Sequence, residues 1–226
     1  MSAVLEPRAQ VNRMLGHVAL HYDKVEDGPL AARVLESIGL LLTQHFPLGD
    51  GSEFYRFTVN HREPNRGDGI IYLSRLPEAH RDLIRAIRDS LHVGSPTEHP
   101  TVARMRAAQA ADPEYTFHLG LLFDSLEAVE QAMSRVMDLS RSDPQLRGRI
   151  NMELNRARPG TPEVDRRLDA SPLYGSVKRY AYGRNGVQAF IETDLLVSGP
   201  LGEGLVIEID YVFPGYKDHI LSVVEL

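Results

Sequence analysis

Cysteine is absent from the 226 residues. Disulfides and zinc–thiolate sites are therefore excluded, and thiol usage says nothing about redox compartment. No apolar run approaches the ~20 residues that span a bilayer. The opening MSAVLEPRAQVNRML has no secretory apolar core, because Glu6, Pro7 and Arg8 interrupt it. The expectation is a cytoplasmic protein with no membrane partner. A basic stripe is also missing and the formal charge is −6, which argues against nucleic acid as the main partner. The remaining composition, 42% hydrophobic and 25% charged, is that of an ordinary globular chain. The length suits one larger domain or two small modules.

One stretch occurs twice. GHVALHYD at residues 16–23 returns as FHLGLLFD at residues 117–124, with His17 on His118, Leu20 on Leu121 and Asp23 on Asp124. Each copy precedes a helix-like run. Two copies this far apart indicate two similar modules rather than a stacked solenoid. Period-two alternation puts His17, Ala19 and His21 on one face, with Val18, Leu20 and Tyr22 on the other. The second copy puts His118, Gly120 and Leu122 opposite Phe117, Leu119, Leu121 and Phe123. Both strands thus offer an apolar face for burial and a second face with a histidine beside a very small residue. A small neighbour leaves room for a metal or ligand at a neutral imidazole.

The expected organisation is an N-terminal arm at 1–15, a first module at 16–93, a helical linker at 94–114 and a second module at 115–226. After the first strand, Pro29 opens a helix whose Leu30, Val34 and Ile38 recur at spacing four. Strands follow at residues 40–46, 53–60 and 69–74. Residues 77–92 form a second helix pattern, and VARMRAAQAA gives the linker its helical part. In the second module a helix begins near Ser125. Strands are expected at residues 149–155, 178–182, 187–196 and 205–213, and the apolar HILSVVEL reads as an edge strand or a docking segment. Residues 156–176, rich in Arg, Pro, Gly and Asp, read as a long connection or lid.

In LVIEIDYVF, Glu208 and Asp210 share a face of an otherwise apolar strand. A carboxylate there should be paired or ligated. Two imidazoles and one carboxylate leave coordination positions open, as in non-haem iron(II) oxygenases. Glu192, in VQAFIETD, is a rival carboxylate whose alternation also allows it to point inward.

The opening LGHVALHYD, the helix and SIGL after it, and the turn SGPLGEG resemble the vicinal oxygen chelate superfamily of glyoxalases, bleomycin-resistance proteins and extradiol dioxygenases. The resemblance implies an α+β fold in which two βαβββ modules form a cupped mixed sheet around a metal site, with extra helices here. In the dioxygenase branch, the first strand of each of two modules supplies a histidine and the last strand of the second a glutamate. By that resemblance the ligands are His17, His118 and Glu208. Matching GDGIIYLS to GEGLVIEI sets Leu73 opposite Glu208, so the first module lacks a carboxylate there. The implied cofactor is a divalent metal, Fe(II) favoured over Mn(II), Ni(II) or Zn(II). The implied reaction is O2-dependent cleavage of a small catechol-like substrate. His21 and Tyr182 are candidate catalytic groups, with Asp210 and Gln188 on the substrate side. A glyoxalase- or epimerase-like metalloenzyme and a metal-free small-molecule binder stay open as alternatives, and a homodimer is possible.

Overall fold

The computed structural model describes residues 14–216 apart from 182 and 184. Tyr182, most of the N-terminal arm and the apolar tail lie outside the described residues. The first four strands and their helix are β1 (His17–Tyr22), α1 (Asp27–Ser37), β2 (Leu41–Pro47), β3 (Glu53–Thr58) and β4 (Ile70–Arg75). Then come α2 (Glu78–Ser90), α3 (Pro100–Ala111) and a single 3-10 turn (Pro113–Tyr115). The pattern then repeats with β5 (His118–Leu122), α4 (Leu126–Ser142), β6 (Ile150–Asn155), α5 (Pro162–Asp169), β7 (Gly186–Ser198) and β8 (Glu203–Val212).

All eight strands join one curved mixed sheet in the order β2-β3-β4-β1-β7-β8-β5, with β6 alongside β7. Each half is built alike. The first strand runs parallel to the fourth, β1 to β4 and β5 to β8, and the third and second follow antiparallel. This is the paired βαβββ arrangement that the resemblance implies. The halves meet where His21 of β1 pairs with Val197 of β7. The β7–β8 register shifts between Thr193 and Val197, just before that junction, and the β6 pairing ends at Thr193. Gly204 is required at this bend, because a Cβ there would lie 2.4 Å from the Thr193 carbonyl oxygen.

The two faces of the sheet differ as the alternation requires. Leu20, Tyr22, Leu73, Leu121, Ile207 and Ile209 are buried in one core with Val34 and Leu35 of α1 and Val129, Met133 and Val136 of α4. Each such side chain contributes roughly 1.5–3 kcal/mol through burial. α4 starts where Ser125 Oγ accepts from the Ala128 amide at 3.2 Å, which satisfies one of its free N–H groups. The opposite face of β5, β8, β7 and β6 carries the polar side chains of the site. No helix among the described residues is long and apolar enough to cross a membrane.

Two local expectations are corrected. Residues 156–176 are not a bare connection, since α5 forms there with Pro162 in its first turn and Val164 and Leu168 buried one turn apart. Residues 178–181 form no strand. A single parallel bridge, Arg156 to Tyr180, is made instead. The α2 helix is amphipathic as expected, yet none of its residues is buried and Leu83 is 57% exposed.

Candidate metal centre

Three side chains converge at the start of β5. The Nδ1 of His118 faces the Thr116 carbonyl oxygen at 2.8 Å. A carbonyl only accepts, so Nδ1 carries the hydrogen and the lone pair of the neutral ring is on Nε2. That Nε2 faces Glu208 Oε2 at 3.2 Å and Glu114 Oε2 at 3.9 Å. The ligand atoms of Glu114, His118 and Glu208 all lie within 4.8 Å of one another. Glu114, His118 and Glu208 are the residues that would hold one divalent ion there, after small side-chain adjustments that bring each ligand atom to the usual bond length of about 2.0–2.2 Å.

The elements explain the convergence. Parallel pairing of β5 with β8 sets His118 opposite Val206 and Gly120 opposite Glu208. Gly120 stands beside the carboxylate, and a Cβ there would make only ordinary contact with Glu208 Oε2, at 4.0 Å. Glu114 arrives from the 3-10 turn, where Asp112 Oδ1 accepts from the Glu114 amide at 3.1 Å. Gln188 of β7 is fully buried and donates from Nε2 to Glu208 Oε1 at 2.6 Å and to Glu114 Oε1 at 2.8 Å. Asp210 is directly opposite Gln188 in the β7–β8 register.

The carboxyl groups at the centre hold their protons more tightly than free ones. Burial, then the Glu114 charge, raises the Glu208 carboxyl above its ordinary range. Burial, then the Glu208 charge, pushes Asp210 up to about 8. One Asp210 oxygen, Oδ1, is buried without a hydrogen-bond partner. Among the described residues, the ion pairs of Glu114 and Glu208 are with His118 alone. Buried carboxylates without a cationic side chain need a proton or a cation.

The other candidate residues are placed as follows. His17 is outside this group. It is exposed, and its ring centroid lies 5.2 Å from that of Tyr72. His21 is half-buried beside Ser74, with Nδ1 and Oγ 3.4 Å apart, and burial lowers its pKa. Glu192 is outside the group too. Its Oε2 accepts from Asn151 Nδ2 at 3.0 Å on the wall of a groove of about 480 Å³. That groove is lined by Gln109, Thr116, Asn151, Glu192, Thr193 and Val206, among others. It lies beside the centre, because Val206 is the register partner of both Glu192 and His118.

The register also corrects the Leu73 match. Ala19 pairs with Tyr72 as Gly120 pairs with Glu208, so Tyr72 is the counterpart of Glu208. The first module still has no carboxylate there, and its His17–Tyr72 ring pair stands where the second has His118 and Glu208. Glu114 is the residue that sequence reasoning missed. Its one signal was an acidic group four residues before His118, within what read as linker.

No protein-family model matches the sequence, and no curated protein matches it. Solved structures with a similar outline include a glyoxalase/bleomycin resistance protein/dioxygenase family enzyme from Burkholderia phytofirmans PsJN. It is 14% identical, with 89% of this chain and 100% of that chain covered and a TM-score of 0.36. A glyoxalase/bleomycin resistance protein/dioxygenase from Nocardioides is 15% identical, covering 92% of this chain and 89% of that one, with a TM-score of 0.37. UcmS2 is 12% identical over 88% and 98%, with a TM-score of 0.35. The strand order and register described above define the fold independently of these likenesses.

Proposed function

We propose that the protein is a divalent-metal-dependent enzyme of the vicinal oxygen chelate type, with Glu114, His118 and Glu208 holding the ion. The observation that carries this reading is the His118 Nε2 lone pair, which faces two carboxylate oxygens at 3.2 and 3.9 Å. Three electron-rich atoms aimed at one point suit a shared cation, and the ion would take the place of the proton that the raised Glu208 and Asp210 carboxyls otherwise hold. One imidazole and two carboxylates suit Mn(II), Fe(II), Ni(II) or Zn(II). Such an ion, when bound, supplies Lewis-acid polarisation of two adjacent substrate oxygens.

The chain's own residues favour proton transfer over oxygen insertion. The set has one imidazole where the iron oxygenases use two. Glu192 presents a carboxylate to the groove, oriented by Asn151. Glu192 and His118 are on the same face with Val206 between them. At a strand spacing of about 4.8 Å this separates their backbones by roughly 10 Å, space for a small substrate. In this reading Glu192 removes a proton from the carbon next to the substrate oxygens and returns it, as in a glyoxalase or epimerase. The Thr116 and Asn151 side chains line the same groove and can hydrogen-bond a polar substrate.

The test is a panel of 2-hydroxy and 2-oxo carbonyl compounds in deuterated water, with Mn(II) or Fe(II) supplied. Deuterium should enter at the carbon beside the carbonyl without oxygen uptake. Glu192→Gln should slow it by about 10²–10⁴-fold, the usual contribution of a general base. Oxygen consumption with catechols and Fe(II), unaffected by Glu192→Gln, would instead support the extradiol dioxygenase reading.

A further inference from the structure

Gln188 has more to satisfy than one contact. Its Nε2 has two hydrogens, and both are committed, to Glu208 Oε1 and Glu114 Oε1. Carboxylates that hold a cation are deprotonated and only accept, so in that state the amide nitrogen must face them and the amide oxygen must face away. There it meets Asn155 Nδ2 at 3.4 Å, across the β6–β7 register that pairs Asn155 with Gln188. Asn155 is buried as well, and its own Oδ1 is without a partner. The two amides therefore have a defined polarity, which runs from Asn155 to Gln188 to the two carboxylates.

We infer that Asn155 and Gln188 form a buried amide relay that positions the Glu114 and Glu208 carboxylates for the divalent ion. Neither residue touches the ion. This inference rests on the reading of Glu114, His118 and Glu208 as the metal ligands. The relay matters most for Glu114. That residue belongs to the turn after α3, outside the sheet, and Gln188 ties it to the strand that also braces Glu208. Without the brace, each carboxylate is free to turn an oxygen towards water or the other anion. Groups that orient metal ligands in this way typically change metal affinity by about 10–100-fold.

The polarity makes a test that separates positioning from charge. Asn155→Asp keeps shape and volume but replaces the donor by an acceptor. Once that carboxyl is ionised, which repeating the titration at rising pH ensures, the Gln188 amide turns its nitrogen to it and its oxygen to Glu114 and Glu208. The relay requires weaker metal binding, although an added negative charge near a cation site alone would strengthen it. The experiment is a titration of the full chain with Mn(II), followed by calorimetry and by the electron paramagnetic resonance signal of bound Mn(II). Wild type, Asn155→Asp, Gln188→Met and the double variant are compared, with thermal melts to verify folding. Each single variant should lose about 10–100-fold in affinity with an altered resonance signal. The double variant should bind within about twofold of Gln188→Met, since Asn155 acts through Gln188. Unchanged or tighter binding by folded Asn155→Asp would overturn the relay, as would full additivity in the double variant. If Gln188→Met does not fold, Asn155→Asp decides alone. A wild-type chain that takes up no Mn(II), Fe(II), Ni(II) or Zn(II) would bring down the metal reading itself, and the relay with it.

Discussion

Glu208→Gln is expected to weaken Mn(II) binding by more than about 100-fold, beyond the range of groups that only orient ligands. His118→Ala should do the same, and His17→Ala should leave affinity within about twofold. The argument is geometric. Glu208 and His118 face each other at 3.2 Å from adjacent parallel strands, and the register leaves the small Gly120 beside them. Glutamine keeps the size of Glu208 and still offers Gln188 an amide oxygen, so a large loss would report charge at the ion rather than packing. His17 instead lies against Tyr72, the residue at the position equivalent to Glu208. Calorimetric titration of the three variants measures the order directly. Equal losses for His17→Ala and His118→Ala would restore the two-imidazole set implied by the resemblance.

The second large effect concerns stability with and without metal. An ion that binds only the folded chain at 100 times its dissociation constant stabilises it by about 2.7 kcal/mol. For a domain of this size that is a rise of about 5–11 °C in melting temperature. The same addition should leave Glu208→Gln nearly unmoved. Metal-free Glu208→Gln should melt no lower than the metal-free wild type. Burial and the neighbouring Glu114 disfavour the charged form of Glu208, and the neutral amide removes that cost. Thermal melts of both proteins with a chelator and with excess Mn(II) give all four values. A metal-free variant that melts far below the wild type would mean that Glu208 serves the fold as the ion-pair partner of a charged His118.

The parts of this architecture carried by local periodicity were legible in the sequence. Alternation in the two related strands identified the buried face, where Leu20, Tyr22 and Leu121 are found. It also placed His118 and Glu208 on the face where the structure brings them together. Spacing of four in α1 identified its core stripe, where Leu30 and Val34 are buried. What failed depends on how separate strands slide against each other. Two similar glycine-containing turns aligned Leu73 with Glu208, but parallel pairing with β1 and β5 shifts the match to Tyr72. A slip of one residue moves a side chain to the other face. His17 and His118 occupy equivalent register positions, but the residue facing His17 is Tyr72 where His118 faces Glu208, a difference that the repeat alone does not reveal. Glu114 was illegible because a turn has no periodic face of its own, and its approach to His118 depends on how the 3-10 turn joins β5. The α5 helix escaped notice because eight residues with two buried positions, Val164 and Leu168, give too short a period to read.

The most direct measurement is the anomalous scattering of crystals grown with Mn(II). The expected result is one strong peak bonded to His118 Nε2 and to carboxylate oxygens of Glu114 and Glu208, at about 2.0–2.2 Å. A peak at His17 instead, or no peak with His118 and Glu208 joined as an ion pair, would contradict the metal centre and the function built on it.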